Sequence, residues 1–152
     1  MKTIVALVDL SDLTFKVLKQ AHMLASAFNS EVIILHVLAN VPVVVDVGLI
    51  SPVVMQDPST EVVQQQVEQL FDMRDSLIKF GVRASVEQLV DASVAGVLAE
   101  TKRRKADLII LGSHHHSTFY HLLVGSVTAD VLKGASCPVL VVPSDEAEHG
   151  KP

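Results

Sequence analysis

Five features of this 152-residue chain could do chemistry: Asp9, Gly112-Ser113, the run His114-His115-His116, Gly125-Ser126 and Cys137. Asp9 closes an apolar run that begins at Thr3, so its carboxylate either caps a following helix or meets a ligand. Gly125-Ser126 opens a short helical pattern that stops at Gly134. Free N–H groups and the helix dipole at such a start attract anions, while a simple N-cap at Ser126 is the plainer alternative. The three histidines, with His121, invite a metal reading. Consecutive loop residues point in different directions, however, and no cysteine or carboxylate pair completes a tetrahedral set. Polar loop histidines beside a phosphate suit the pattern better. Cys137 precedes a proline at a strand start and reads as a buried, inert thiol. His22 and His36 sit inside apolar stretches and read as partly buried, satisfied side chains.

The elements that must position these groups follow from the apolar pattern. Thr3–Asp9, Glu31–Val37 and Ala106–Gly112 are short apolar runs of the kind that form central parallel strands. Residues 82–88 alternate apolar and polar, which suits a strand near a sheet edge, and Cys137–Val142 is a final strand. Between them, Phe15, Leu18, Ala21, Leu24, Ala25 and Phe28 recur at helical spacing after a Ser11 cap, with Asn29 closing the helix. Val63, Val67, Leu70, Phe71, Leu77 and Ile78 mark a second helical face, entered at Asp57-Pro58 and left at Gly81. A third helix, capped by Asp91 or Ser93, ends in Lys102-Arg103-Arg104-Lys105, where cations complement the helix dipole and need no nucleic-acid partner. Residues 38–57 form a long apolar loop punctuated by prolines. Strands alternating with helices imply right-handed crossovers and one parallel sheet covered on both faces. The expected architecture is a single doubly wound α/β domain, Rossmann-like, with five strands and four helices over residues 1–144 and a polar tail over 145–152. Ligands in such sheets bind beyond the carboxyl ends of the strands, where the strand order reverses. Asp9, Val37 and Gly112 occupy three of those ends.

Composition narrows the function. Hydrophobic residues make up 49 % of the chain and charged ones 19 %, which excludes a disordered chain. Twelve basic against 17 acidic residues leave a net charge of −5, the wrong sign for a generic nucleic-acid binder. One cysteine cannot form an internal disulfide, and a cytoplasmic location is expected. No export signal is expected, because Asp9 interrupts the first apolar run. Nor is membrane insertion, because residues 37–55 contain Pro42, Asp46, Gly48 and Pro52.

Leu111-Gly112-Ser113-His114, then Gly125-Ser126-Val127, then Cys137–Val142 resemble the universal stress protein family. Val8–Ser11 and Leu35-His36-Val37 extend the resemblance over nearly the whole chain. It implies an ATP- or AMP-binding module with strand order 3-2-1-4-5, commonly a homodimer. Nucleotide-binding members share glycine, two residues, glycine, nine residues, then glycine with serine or threonine. Gly112 and Gly125-Ser126 match that pattern, and His115 stands where the middle glycine belongs. The resemblance further implies that Asp9 takes the ribose hydroxyls, Leu7 lies near the adenine and the Val37 backbone reads the adenine edge. Leu111 and Gly112 would floor the ribose and phosphates, with Ser126 and Val127 supplying N–H donors. His114 and His115 would lie beside the phosphates.

The histidine adds a Cβ and a ring where backbone N–H groups would approach phosphate oxygens. If the backbone there is left-handed, the cost is about 1–2 kcal/mol, which a folded domain tolerates. No lysine or arginine lies between Ala106 and Leu132, so rapid phosphoryl transfer lacks its usual fixed cations. The leading expectation is an adenine-nucleotide sensor of stress that acts by binding ATP or AMP, with or without Mg²⁺. The alternatives are a dimeric interaction module whose phosphate site has decayed at His115, and a slow Mg²⁺-dependent ATPase. The last strand, Pro138–Val142, would be an apolar sheet edge through which two copies pair.

Overall fold

The structure, a computed structural model, describes residues 1–38, 60–90, 92–113 and 124–144. Chain order is β1 (Thr3–Val8), α1 (Leu13–Phe28), β2 (Glu31–Leu38), α2 (Thr60–Lys79), β3 (Arg83–Val90), α3 (Val94–Arg103), β4 (Leu108–Ser113), α4 (Val124–Gly134) and β5 (Val139–Pro143). The strands form one five-stranded sheet in the order β3-β2-β1-β4-β5, and every pair in it is parallel. This is the expected doubly wound fold, with the strand order reversing between β1 and β4.

The two faces of the sheet bury different sets of residues. Ile4, Ala6, Val8, Val32, Ile34 and Ile110 pack beneath α1 and α2. Val5, Ile33 and Leu35 pack with Val97 of α3, and Ile109 and Leu111 with Val131 of α4. Successive residues of a strand point to opposite faces, so a strand buried on both sides must be apolar throughout. β1 and β4 satisfy that requirement because they lie inside the sheet. β3, at one edge, is the alternating strand.

Two helical faces differ from the sequence expectation. In α1 the buried residues are Leu13, Thr14, Val17, Leu18, Ala21 and Ala25, whereas Phe15 is 75 % exposed and Phe28 53 %. In α2 the buried residues are Leu70 and Leu77, with Met73 against the core, and Phe71 and Ile78 stand outside. The side chains that pack repeat at three- and four-residue steps. Phe71 and Ile78 each lie one residue, about 100° of helix, beyond a buried leucine. The Phe71 ring instead lies 4.6 Å from the Arg74 guanidinium.

The helix ends follow local chemistry. Asn29 closes α1 at φ 52°, in the left-handed region, and its N–H donates to Ala25 O. Asp12, not Ser11, holds the N-cap position of α1, although Ser11 Oγ accepts from Leu13 N at 3.3 Å. Ser93 caps α3 by accepting from Gly96 N at 3.2 Å; Asp91 lies outside the described residues. At the far end of α3, Arg103 and Arg104 both donate to Glu100 at 2.8 Å, and Arg104 also bonds Glu87. The two arginines of the basic run are thus drawn into local ion pairs.

At Gly112, near the end of β4, α1 lies close against the sheet. A Cβ there would lie 2.4 Å from Leu13 Cδ2 and 2.6 Å from Leu13 Cγ. At Gly134 a Cβ would meet only the tip of Leu98 closely, with Cδ1 at 2.5 Å. Gly112→Ala should therefore lower unfolding free energy by about 1–3 kcal/mol through overpacking, and Gly134→Ala by less. Urea denaturation of both variants checks this. An unchanged midpoint for Gly112→Ala would mean that Leu13 moves aside freely.

Candidate functional site

A cleft of about 310 Å³ opens at the carboxyl ends of β1, β2 and β4. Its size lies at the lower end of small-molecule pockets. The switch between β1 and β4 creates it, because the crossovers leaving these strands go to opposite faces of the sheet. Leu7, Asp9, Val37, Leu111, Gly112 and Val127 all line it. Four separate elements or their ends thus bring together six residues chosen from the sequence.

Asp9 follows β1 directly, and the backbone around it is specialised. Leu10 adopts φ 62°, a left-handed conformation costing a non-glycine residue about 1–2 kcal/mol. Asp9 Oδ1 accepts from Ser11 N at 3.0 Å, from Ser11 Oγ at 2.6 Å and from Thr14 Oγ1 at 3.3 Å. The carboxylate is therefore held at the cleft by the first turn of α1. Nothing in the residue types announced the turn at Leu10, since leucine rarely occupies this region.

Gly125 and Ser126 lie within the first turn of α4, which begins one residue earlier than expected, at Val124. The N–H groups of the N-cap and first three residues of a helix have no intrahelical acceptor, and in α4, which starts at Val124, Gly125 and Ser126 are among them. Val127, the next residue, lines the cleft. His114 and His115 lie outside the described residues, as do His116, His121 and the loop from 39 to 59. Among the described residues no group of three histidine, cysteine or acidic side chains could hold a metal.

Further lining residues were not singled out for the site from the sequence: Thr14 of α1, Ala92 and Val94 where α3 begins, and Thr128 of α4. Their signal is only positional, since each stands in or just before the first turns of a helix that follows a strand. His36 also belongs to the cleft. It is 5 % exposed, and Gln88 Nε2 lies 3.3 Å from its Nδ1. With the amide nitrogen as donor, the ring proton sits on Nε2. Burial pushes the His36 pKa below its usual value, although the Asp9 carboxylate partly opposes the shift. Among the described lining residues there is no lysine or arginine. Cys137 is half-buried and not among the residues that line the cleft, and burial pushes its thiol pKa up, so the thiolate is scarce.

The His36 environment has a consequence for stability. The unfolded chain takes up a proton near pH 6.5, while the folded chain resists protonation until lower pH. Stability from this residue is therefore complete above that pH and is lost as the pH falls towards the depressed folded value. Denaturation midpoints from about pH 7 to about pH 5 should fall for the native chain and fall less steeply for His36→Gln. Parallel slopes for the two proteins would show that the imidazole is not held neutral.

Comparison with known proteins agrees with this architecture. A universal stress protein from Methanocaldococcus jannaschii, MJ0531, is 30 % identical over 147 residues, covering 97 % of this chain and 85 % of that protein. A universal stress protein from Archaeoglobus fulgidus, solved in complex with dAMP, superposes with a TM-score of 0.64 at 22 % identity, over 93 % of this chain and 96 % of the other. A universal stress protein family protein from Arabidopsis thaliana, solved with AMP bound, gives a TM-score of 0.64 at 14 % identity, over 97 % and 95 %. The sequence model of the universal stress protein family matches residues 1–143, and the chain belongs to that family.

Proposed function

We propose that this protein binds an adenine nucleotide, AMP or ATP, in the cleft at the ends of β1, β2 and β4, and that it acts as a stress-response sensor through binding. The observation that carries the reading is the gathering of Asp9, Val37, Gly112 and the start of α4 around one cleft. The dAMP and AMP complexes of the relatives from Archaeoglobus and Arabidopsis support it. In this reading Asp9 accepts from the ribose hydroxyls, and the base lies against Leu7 with its edge on the Val37 backbone. Leu111 and Gly112 form the floor. N–H groups of Gly125, Ser126 and Val127 receive the phosphates, with His114 and His115 beside them and Mg²⁺ accompanying ATP. The cleft offers no fixed cation among its described residues, so the reading is one of binding and at most slow hydrolysis.

Calorimetry with AMP and ATP tests the site. Asp9→Ala should weaken binding by about 1–2 kcal/mol if the carboxylate holds the ribose. Equal affinity would remove Asp9 from the site. Absence of binding by the native chain would favour the interaction module over the nucleotide sensor.

The same proposal includes a homodimer through β5, the open edge beside β4. Ile109 N donates to Pro138 O and Ser144 N to Ser113 O. In a parallel ladder donors alternate, so the N–H groups of Leu140 and Val142 face β4 and those of Val139 and Val141 face outward. Val142 is buried against the core, so a lysine there would test folding more than pairing. Val141→Pro removes an outward donor and leaves the β4 ladder intact. Light scattering should report a dimer for the native chain and a monomer for Val141→Pro. A native monomer at micromolar concentration would overturn the dimer.

A further inference from the structure

β3 ends the sheet, and its outer edge carries no strand among the described residues. The backbone groups on that edge can be assigned. Glu31 N donates to Lys2 O, so the odd-numbered residues of β2 bond β1 and the even-numbered ones bond β3. With Val32 opposite Ala84, the odd-numbered residues of β3 bond β2, and the N–H and C=O groups of Ala84, Val86 and Gln88 point outward. Beside this edge α2 carries a stripe. Val67, Phe71, Arg74 and Ile78 recur at steps of four, three and four residues, the spacing of a two-helix seam. Phe71 is 42 % exposed and Ile78 51 %, with the Arg74 guanidinium over the Phe71 ring. The stripe faces away from α1. Both helices run antiparallel to the strands, so the angle around each grows in the same sense. On α1 the buried face begins at Leu13, against Gly112 of β4, and continues round towards β2. On α2 the same rotation carries Phe71 and Ile78, about 100° beyond Leu70 and Leu77, towards the open edge of β3.

We propose that this edge is a self-association surface, on which β3 pairs antiparallel with β3 of a second copy about a two-fold axis at Ser85 and the two α2 stripes meet above the junction. Charge selects this register. The axis sets Arg83 opposite Glu87 of the second copy, at a non-hydrogen-bonded site where facing side chains come closest. Arg83 Nη2 donates to Asn29 O at 3.0 Å and Glu87 accepts from Arg104, yet a guanidinium has further donors and a carboxylate further acceptor sites. The helices share the same centre. Val82 N donates to Leu77 O, which ties the start of β3 to the last turn of α2. Ser85 lies about 10 Å farther along the strand, a rise of about seven helical residues. The axis therefore passes near the middle of the stripe, between Phe71 and Arg74. In an antiparallel pair Phe71 then faces the second copy's Arg74, and Ile78 the second copy's Val67. A common centre for strand and helix is what a second copy requires and an unrelated partner does not. Pairing through about four main-chain hydrogen bonds and one narrow stripe is small for a stable interface, so it forms only at high concentration. β5 lies at the opposite edge of the sheet, so pairing at β3 leaves it free and is independent of the nucleotide reading.

Sedimentation velocity of the full chain from about 5 to about 500 μM tests the surface. The average mass of the native protein should rise to about twice its low-concentration value, whether that value is a monomer or a β5 dimer. Val86→Pro removes an outward donor and no bond to β2, and it should hold the mass constant. Arg83→Glu and Glu87→Arg should each do the same alone, because like charges then face each other. An equal mixture of these two variants should recover the rise, since every Glu then meets an Arg across the junction. Thermal unfolding of each variant checks that it folds. Phe71→Ser alters an exposed side chain and should also suppress the rise, which keeps the test decisive if a strand variant fails to fold. A constant native mass over the whole range would overturn self-pairing and leave the edge to a different partner. A rise that persists in folded Val86→Pro, or folded charge variants that do not associate when mixed, would overturn the assigned register and surface.

Discussion

Gly112 has to be a glycine in this arrangement, because the side chain of Leu13 fills the space that its Cβ would occupy. That contact seats the first turn of α1 on the end of β4. The same turn carries Thr14, which with Ser11 holds the Asp9 carboxylate in place. One close approach therefore fixes the relation between β1, β4 and α1. A larger residue at position 112 would lift the helix from the sheet and move the carboxylate with it. The left-handed Leu10 belongs to the same constraint, since the chain must turn sharply between β1 and a helix packed this closely. Its strain is offset by the packing of Leu10 against the core.

The cleft follows from topology plus this contact. β1 is central, with β2 on one side and β4 on the other, and α1 covers one face while α3 and α4 cover the other. Beyond the strand ends the two layers part, and the residues that line the cleft differ by face. Among the described lining residues the α1 side contributes Thr14 and His36, and the other side is apolar save Thr128. A molecule with a polar, charged end and a flat apolar end matches that division. Without lysine or arginine in the described lining, helix N–H groups remain to meet an anion.

Much of this was legible in the residues. The strands β1, β2 and β4 are apolar on both faces, and that alone placed them inside a parallel sheet. The residues matching the family pattern, Asp9, Val37 and Gly112 among them, gather at one cleft because strand ends at a switch point have nowhere else to face. The illegible parts have physical reasons. Phe15, Phe28, Phe71 and Ile78 are large and apolar, yet the buried stripes of α1 and α2 pass beside them; composition cannot distinguish a stripe from its neighbour 100° away. His36 resembled any core histidine until its place in the cleft beside the Asp9 charge was visible. Thr128 gave no signal, because only its place in the cleft sets it apart from other helical threonines.

The central claim is that the cleft between β1 and β4 receives an adenine nucleotide, and a crystal structure of the chain grown with saturating AMP tests it most directly. The account predicts density for the whole nucleotide in the cleft, with the ribose hydroxyls within hydrogen-bond reach of Asp9 and the phosphate at the first turn of α4. An empty cleft at saturating AMP, or AMP bound on another surface, would contradict it.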